Sequence, residues 1–305
     1  MTSLRRSRSF FDIVIGVIGT VAIAAAAAAV SAAQPRTVER SFIWKATRQQ
    51  GVVYLVGSVH MLTKDFYPLA PPLDAAFKDS DLLVEEVDLA EMLSPNAQFS
   101  LLARGMLPAG QTLDKVVSPA TMALVNARID TLGMPLAALQ QFKPWFLAMT
   151  LMAVEWQKAG FDSALGLDKH FYDRAQAEGK AVQGLETTDY QISRFDGMAM
   201  SLQDRFLAES LKDLDTEKAS VQKLAGAWKA GDLPTVERIV LQDLKDDPQM
   251  YERLLVERNR NWLPRIEALF GRPGHAFVVV GAAHLVGPDG LLAMLKTKGI
   301  RVVQQ

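Results

Sequence analysis

The chain has 305 residues, and 33 lysines and arginines nearly balance 34 aspartates and glutamates, which gives a formal net charge of -1. This length is enough for one large or two smaller domains with a buried core, and a hydrophobic fraction of 49% excludes a wholly disordered chain. The balanced charge argues against a nucleic-acid partner, and the absence of cysteine excludes disulfides, thiolate metal sites, iron–sulfur clusters and a cysteine nucleophile.

The first 33 residues have the pattern of a secretory signal peptide. Three arginines, at positions 5, 6 and 8, precede a stretch from 13 to 33 that carries no charge and ends in small residues. A basic region, an apolar region and a small-residue exit are typical of cleaved export signals. An uncleaved membrane anchor is the alternative, but the alanine-rich centre inserts more weakly than a leucine-rich one. We therefore expect a periplasmic or secreted protein with no membrane span after cleavage.

The rest of the sequence alternates short apolar runs with longer stretches that prolines interrupt. Two apolar runs on either side of Gly51 predict a β-hairpin, and an apolar run near the C-terminus predicts a buried strand. The predicted strands span residues 42–46, 52–56, 82–87, 180–185, 276–280 and 300–303, and the predicted helical stretches span residues 73–80, 89–160, 166–178, 187–270 and 288–299.

This order of elements predicts an α/β (α+β) fold. Strands from both chain ends and from the middle would form a small central sheet, and the long helical stretches would form an insertion or cap. No linker rich in Gly, Ser or Pro interrupts residues 34–305, so we expect a single domain after the signal segment 1–33.

Two matching units each join an apolar strand to the pattern Gly-x-x-His, at residues 57–60 and 281–284. Glycine lets the chain turn sharply where the strand ends, and ligands of open α/β folds bind at that edge of the sheet. A single histidine there would be read as a turn cap. Two adjacent strands, however, would bring His60 and His284 into one cleft, where imidazoles serve as metal ligands or acid–base groups. The other two histidines, His170 and His275, are expected on the surface.

Carboxylates and arginines complete this candidate site. Glu85 and Glu86 end one strand and point to opposite faces, and Glu186 ends another, although Glu186 could also cap a helix. A carboxylate at the end of an apolar run needs a metal ion or an arginine as its partner. Arg258 or Arg260 could supply that charge or stabilise an oxyanion, and the alternative is a solvated helix face. Two histidines and two carboxylates could form a divalent-metal site.

At these positions the sequence resembles the TraB/GumN family. The paired Gly-x-x-His is the most specific part of the resemblance, which covers roughly residues 40–305. The segments that carry it are 42–45, 54–60, 81–88, 166–168, 184–187, 257–262 and 280–287, together with Gln191, Gly290 and Leu291.

The resemblance implies a fold related to the Tiki proteases and, more remotely, to erythromycin esterase and the ChaN-like haem-binding proteins. Since Tiki proteins are metal-dependent proteases, it implies that His60, Glu86 and His284 hold a divalent ion, which could be manganese, cobalt or zinc. Glu186 and Arg258 match further positions that recur in the family. In our hypothesis, Glu186 would be a further ligand or the general base, and Arg258 would orient a carboxylate or stabilise an oxyanion.

Together these patterns predict an exported, divalent-metal-dependent hydrolase, a peptidase that acts on a peptide or a small molecule. Two alternatives stay open. A histidine–glutamate pair could activate water without a metal, as in erythromycin esterase. The cleft could instead bind haem, a peptide or a glycan without catalysis. The sequence does not indicate the oligomeric state.

Overall fold

A computed structural model describes residues 41–213 and 217–305 of the chain. The predicted signal segment, residues 1–33, lies outside the described residues. The described chain builds one mixed sheet from six strands, and the predicted α/β class is confirmed. The strands are β1 (Ile43–Arg48), β2 (Gly51–Ser58), β3 (Leu82–Val87), β4 (Ala181–Glu186), β5 (Ala276–Gly281) and β6 (Arg301–Gln304).

The order across the sheet is β4-β3-β5-β2-β1-β6. Strands β4, β3, β5 and β2 are all parallel to one another, whereas β1 is antiparallel to both β2 and β6. The four parallel strands therefore end at the same edge of the sheet. Their last residues are in register, since Ser58 pairs with Gly281 and Val87 with Glu186.

Helices fill the connections between the strands. Serine-proline pairs start two of them, because the Ser94 and Ser118 hydroxyls accept the N–H groups of Ala97 and Thr121 while proline takes the first helical position. The helices are α1 (Pro71–Lys78), α2 (Leu89–Met92), α3 (Pro95–Gly105), α4 (Leu113–Val116), α5 (Pro119–Leu132), α6 (Leu136–Leu139), α7 (Pro144–Lys158), α8 (Leu167–Glu178), α9 (Thr188–Asp196), α10 (Met200–Asp213), α11 (Glu217–Lys229), α12 (Leu233–Asp246), α13 (Pro248–Tyr251), α14 (Glu257–Leu269), α15 (Ala282–Leu285) and α16 (Leu291–Thr297).

The predicted elements match the structure closely, with one difference near the C-terminus. The helix predicted over 288–299 begins later, at Leu291, and a separate short helix, α15, follows β5 directly. The break between them lies at Gly287, whose φ of 81° belongs to the left-handed region that favours glycine. The second histidine of the repeat therefore lies on a helix rather than in an open turn.

Two large apolar clusters stabilise the fold. The first contains the sheet and the helices on its faces, with β5 buried along its whole length. The second lies among the helices of the cap and includes Leu113, Trp145 and Leu207. No helix in the described part of the chain combines the length and apolar character needed to cross a bilayer.

Candidate functional site

His60 lies two residues beyond the end of β2, on a loop that packs against the start of α8. Its Nδ1 lies 2.9 Å from Asp168 Oδ2, and the Ser58 hydroxyl donates to Asp168 Oδ1 at 2.9 Å. A Cβ on Gly166 would lie only 2.1 Å from the His60 carbonyl oxygen, so this close approach requires glycine. Because a carboxylate accepts hydrogen bonds, His60 donates through Nδ1 and keeps Nε2 for the cleft. The side chain is 64% exposed.

The charge of Asp168 raises the pKa of His60 to about 9, although burial acts in the opposite direction. His60 thus binds a proton more readily than a free histidine does. The ring is therefore an imidazolium at pH 7, and Nε2, which faces the cleft, becomes a proton acceptor only as the pH approaches this pKa.

Glu86 points from β3 into the same cleft. Its Oε1 accepts the Gly281 N–H at 2.7 Å, and its Oε2 accepts from Arg258 Nη2 at 2.5 Å and from Gln191 Nε2 at 3.2 Å. Burial opposes a charge here, but the charges of Arg258 and His60 and the hydrogen bond from the Gly281 N–H hold the pKa of Glu86 well below its usual range. Glu86 therefore stays a carboxylate.

Glu85, the preceding residue, points to the other face of the sheet. It is 2% exposed, and neither carboxylate oxygen has a hydrogen-bond partner in the described chain. Burial, with the nearby charge of Asp168, raises the pKa of Glu85 to about 9, so the side chain is a neutral acid at pH 7. The structure thus decides which of the two glutamates faces the cleft.

Arg258 connects the acidic residues of the site. It lies in the first turn of α14, directly after a π-helical turn over Glu252–Val256. Its Nε donates to Glu186 at 3.1 and 3.2 Å, and Nη2 donates to Glu186 at 2.7 Å as well as to Glu86. Nη1 donates to the Leu254 carbonyl at 3.3 Å and to His284 Nε2 at 3.0 Å.

Glu186 ends β4 and lies beneath this arginine. Besides the bonds from Arg258, its Oε2 accepts the Trp262 indole N–H at 2.8 Å. The Trp262 ring also lies 4.6 Å from the guanidinium carbon. Burial raises the pKa of Glu186, and Arg258 opposes that rise.

His284 lies in α15, buried between Arg258 and Asn259. Its Nδ1 is 2.7 Å from Asn259 Oδ1, and its Nε2 faces Arg258. Burial, followed by the charge of Arg258, lowers the pKa of His284 to about 3. At neutral pH this imidazole is uncharged.

The two Gly-x-x-His units meet at Gly281. A Cβ on this glycine would lie 3.2 Å from Glu86 Oε1, 3.4 Å from His60 Nε2 and 3.7 Å from His284 Cδ2. The absent side chain therefore leaves a small space that the three groups surround. The five predicted site residues lie together, because the four parallel strands end at one edge of the sheet.

These side chains do not fit a divalent metal ion as they are arranged. No group of three or more histidine, aspartate or glutamate side chains in the described chain is placed to hold one. The donors that a metal would need are engaged elsewhere: the guanidinium binds His284 Nε2 and both carboxylates. Only His60 Nε2 and the Glu86 Oε1 lone pair that the Gly281 N–H does not use are left in this group, whereas a metal site takes three or four ligands.

The TraB/PrgY/gumN family matches residues 42–304 of this sequence. The chain belongs to this family. It is 27% identical over 246 residues to a protein described as uncharacterized protein YbaP in Escherichia coli strain K12, covering 80% of this chain and 87% of YbaP. The YbaP protein of Shigella flexneri shows the same identity and coverage. No solved structure matches the chain.

In this TraB/PrgY/gumN family chain, sequence reasoning missed the roles of three residues that hold the site together. Asp168 orients His60, Asn259 holds His284, and Trp262 binds Glu186. Asn259 and Trp262 do carry a signal, since they share one helix with Arg258 and recur at spacings that put them on one buried face. Asp168 follows Gly166 at the start of a helix, which by itself is also typical of a simple helix terminus.

The other two histidines lie outside the site and are half-buried rather than exposed as expected. The His170 ring stacks on Tyr67 at 5.2 Å between centroids. His275 precedes β5 at the opposite edge of the sheet, where its Nδ1 lies 2.8 Å from Asp79. Each has a local packing role that explains its position.

Proposed function

We propose that the chain is a hydrolase in which His60 and Glu86 activate a water molecule above Gly281. One observation carries this proposal. His60 Nε2 and Glu86 Oε1 approach the same point above the glycine, within 3.4 and 3.2 Å of the missing Cβ position. A water molecule that lies beyond this Cβ position, between the two atoms, could donate one hydrogen to each of them.

His60 is the base in this proposal. Its Nδ1–H is fixed by Asp168, which directs the Nε2 lone pair at the water and stabilises the imidazolium formed when the proton is taken up. The hydroxide then attacks the carbonyl carbon of an ester or amide, and the His60 imidazolium returns its proton to the leaving oxygen or nitrogen. Glu86 is a poor base because its pKa is low, so its part is to orient the water.

The geometry favours the metal-independent alternative over the predicted metalloenzyme. The position between the two carboxylates and His284 is taken by a guanidinium, which already provides a positive charge there. The proposed reaction therefore does not depend on a divalent ion. Manganese, cobalt or zinc at His60, Glu86 and His284 stays a prediction, as do the peptide substrate and the export of the chain.

Purified protein treated with chelator and dialysed tests the proposal against two probes, p-nitrophenyl acetate and a fluorogenic peptide library. We expect hydrolysis that persists in chelator, and a loss of about 100-fold or more in kcat for His60→Asn and Glu86→Gln. His275→Asn and Glu85→Gln are the matched controls, since they carry the same substitutions outside the cleft.

Two results would overturn the proposal. Hydrolysis that disappears in chelator and returns with manganese, cobalt or zinc would support the metalloenzyme. A haem absorption band without turnover of either probe would support a binding protein that uses the exposed His60 Nε2 as a ligand.

A further inference from the structure

We propose that Asn259 is a positioning residue that fixes the tautomer of His284, and that His284 thereby holds Arg258 as the resident cation of the site. This inference rests on the proposed function, because it assigns His284 and Arg258 to the support of Glu86 rather than to the reaction itself. It follows from the hydrogen-bond directions at one buried amide.

The orientation of the Asn259 amide is fixed by two backbone carbonyls. Its Nδ2 lies 3.2 Å from the His284 carbonyl oxygen and 2.9 Å from the Asp289 carbonyl oxygen. Carbonyl oxygens only accept, so the NH2 group must face them and Oδ1 must face the imidazole. Asn259 is 1% exposed, so water cannot readily substitute for any of these bonds.

The amide in turn fixes the imidazole. Asn259 Oδ1 can only accept, so His284 Nδ1, at 2.7 Å, carries the hydrogen. On a neutral ring Nε2 then presents a lone pair, and its neighbour at 3.0 Å is the donor Nη1 of Arg258. His284 Nε2 is therefore occupied by a permanent donor and is not free to bind a metal.

Arg258 has no donor left for a substrate. A guanidinium has five N–H groups. Nε donates to the Glu186 carboxylate. The two hydrogens of Nη1 are donated to the Leu254 carbonyl and to His284 Nε2, and the two hydrogens of Nη2 to the carboxylates of Glu86 and Glu186. An oxyanion could be bound only by breaking one of these bonds, so the structure assigns Arg258 to the acidic residues and not to the reacting carbonyl.

The consequence for the reaction lies in the two oxygens of Glu86. Arg258 holds Oε2, and the Gly281 N–H holds Oε1 at the edge of the space where the water binds. The path from Asn259 through His284 and Arg258 therefore sets the direction of Glu86 without any contact with the substrate.

The test is the tautomer of His284, read by 15N NMR on the full chain labelled at histidine. In the wild type we expect a protonated Nδ1 and an unprotonated Nε2 at pH 7. In Asn259→Leu the acceptor is lost, and we expect a shift of the ring toward the other tautomer and a fall in kcat of about tenfold or more with little change in KM. Asn259→Asp keeps the acceptor toward Nδ1 but loses the NH2 group that faces the two carbonyl oxygens, so it should retain the Nδ1–H tautomer in a less stable protein.

Asn261→Leu is the matched control, because Asn261 lies two positions further on the same helix, is exposed and donates its side-chain N–H to the Tyr190 hydroxyl rather than to the site. A wild-type His284 that carries its proton on Nε2, or that shifts on addition of Zn²⁺ as a new ligand would, overturns the inference even if the hydrolase proposal survives. The converse also holds, since absence of any hydrolytic activity leaves the wild-type NMR prediction intact.

Discussion

At the scale of single residues, the site separates two histidines that look equivalent in the sequence. His60 is exposed and bonded to a carboxylate, whereas His284 is buried and bonded to an arginine and an amide. The same side chain therefore has a raised pKa at one position and a lowered pKa at the other. Of these two histidines, His60 is the one with a ring nitrogen left free for the cleft, as the proposed base requires.

The first prediction concerns the pH dependence of hydrolysis. The reaction requires unprotonated His60, so the wild-type rate should rise with pH until the pKa of about 9 is reached. Asp168→Asn removes the charge that raises this pKa. The rising limb should then move toward pH 6.5, and the maximal rate should fall because the ring is oriented less well.

Rate profiles of the wild type, Asp168→Asn and the exposed control Asp173→Asn between pH 5 and 10 check this expectation. A profile of Asp168→Asn whose rising limb coincides with that of the wild type would exclude His60 as the base.

Glu85 supports a second prediction, on stability. Its pKa is about 9 in the folded chain against an ordinary value of 4.5, so unfolding releases a proton between these pH values. Because the pKa is raised in the folded chain, the contribution of the protonated Glu85 side chain to the free energy of unfolding is fully present below pH 4.5. This contribution is lost as the pH rises from 4.5 through 9. The glutamine side chain of Glu85→Gln cannot ionise. The free energy of unfolding of this variant should therefore increase relative to that of the wild type by up to about 1.4 kcal/mol per pH unit within this window. Urea unfolding at pH 5, 7 and 9 measures the difference, and parallel curves would contradict the assignment.

At the scale of elements, the parallel strand ends decide where the chemistry lies. β2 and β5 are neighbours, and each continues into a Gly-x-x-His segment, the first a loop and the second the short helix α15, so the two segments meet at one edge of the sheet. The π-helical turn before α14 precedes the helix that presents Arg258, Asn259 and Trp262 to the sheet. Such turns are frequent at functional sites.

Gly281→Ala provides the third prediction. The added methyl group would project toward the proposed water and crowd it, yet its nearest contact, 3.2 Å to Glu86 Oε1, requires a shift of only a few tenths of an ångström. We therefore expect a folded protein whose hydrolytic rate falls about 100-fold. Gly226→Ala, on an exposed helix position with no atom within 4 Å of the new Cβ, is the control. Circular dichroism shows whether the variant is folded, and the hydrolytic rate shows whether the site still works. A folded and fully active Gly281→Ala would exclude a reacting water next to Gly281.

At the scale of the whole molecule, the guanidinium of Arg258 connects parts of the chain that are far apart in sequence. It joins β3, β4 and the helix after β5, and its partner Glu86 is 172 positions away. Buried ion pairs of this kind add little stability in themselves, but removal of one partner leaves charges without compensation.

The fourth prediction compares two arginines of α14. Arg258→Met should lower the free energy of unfolding by about 3–5 kcal/mol, because it leaves two buried carboxylates unpaired. Arg260→Met should change it by less than about 1 kcal/mol, since Arg260 pairs with Glu252 at the surface and is 60% exposed. Denaturant unfolding monitored by tryptophan fluorescence measures both, and equal effects would refute the central place given to Arg258.

The sequence by itself determined the strands, the helical stretches and the residues that gather at the site. Apolar runs and glycines are local features, and the alternation of side chains along a strand or helix follows from backbone geometry alone. The repeated Gly-x-x-His identified His60 and His284 for the same reason. These patterns also reduced the candidates for the site arginine to Arg258 and Arg260, and the candidates for the glutamate of β3 that faces the cleft to Glu85 and Glu86.

Only the tertiary structure decided which residue of each of these pairs lies in the site, and it identified the hydrogen-bond partners of the site residues. Which glutamate faces the cleft depends on what packs on each side of β3, and the orientation of His60 depends on Asp168, 108 positions away. The identity of the central cation likewise required the coordinates, because a metal ion and a guanidinium satisfy the same carboxylates. Hydrogen-bond direction and burial arise between distant segments, and therefore no local pattern encodes them.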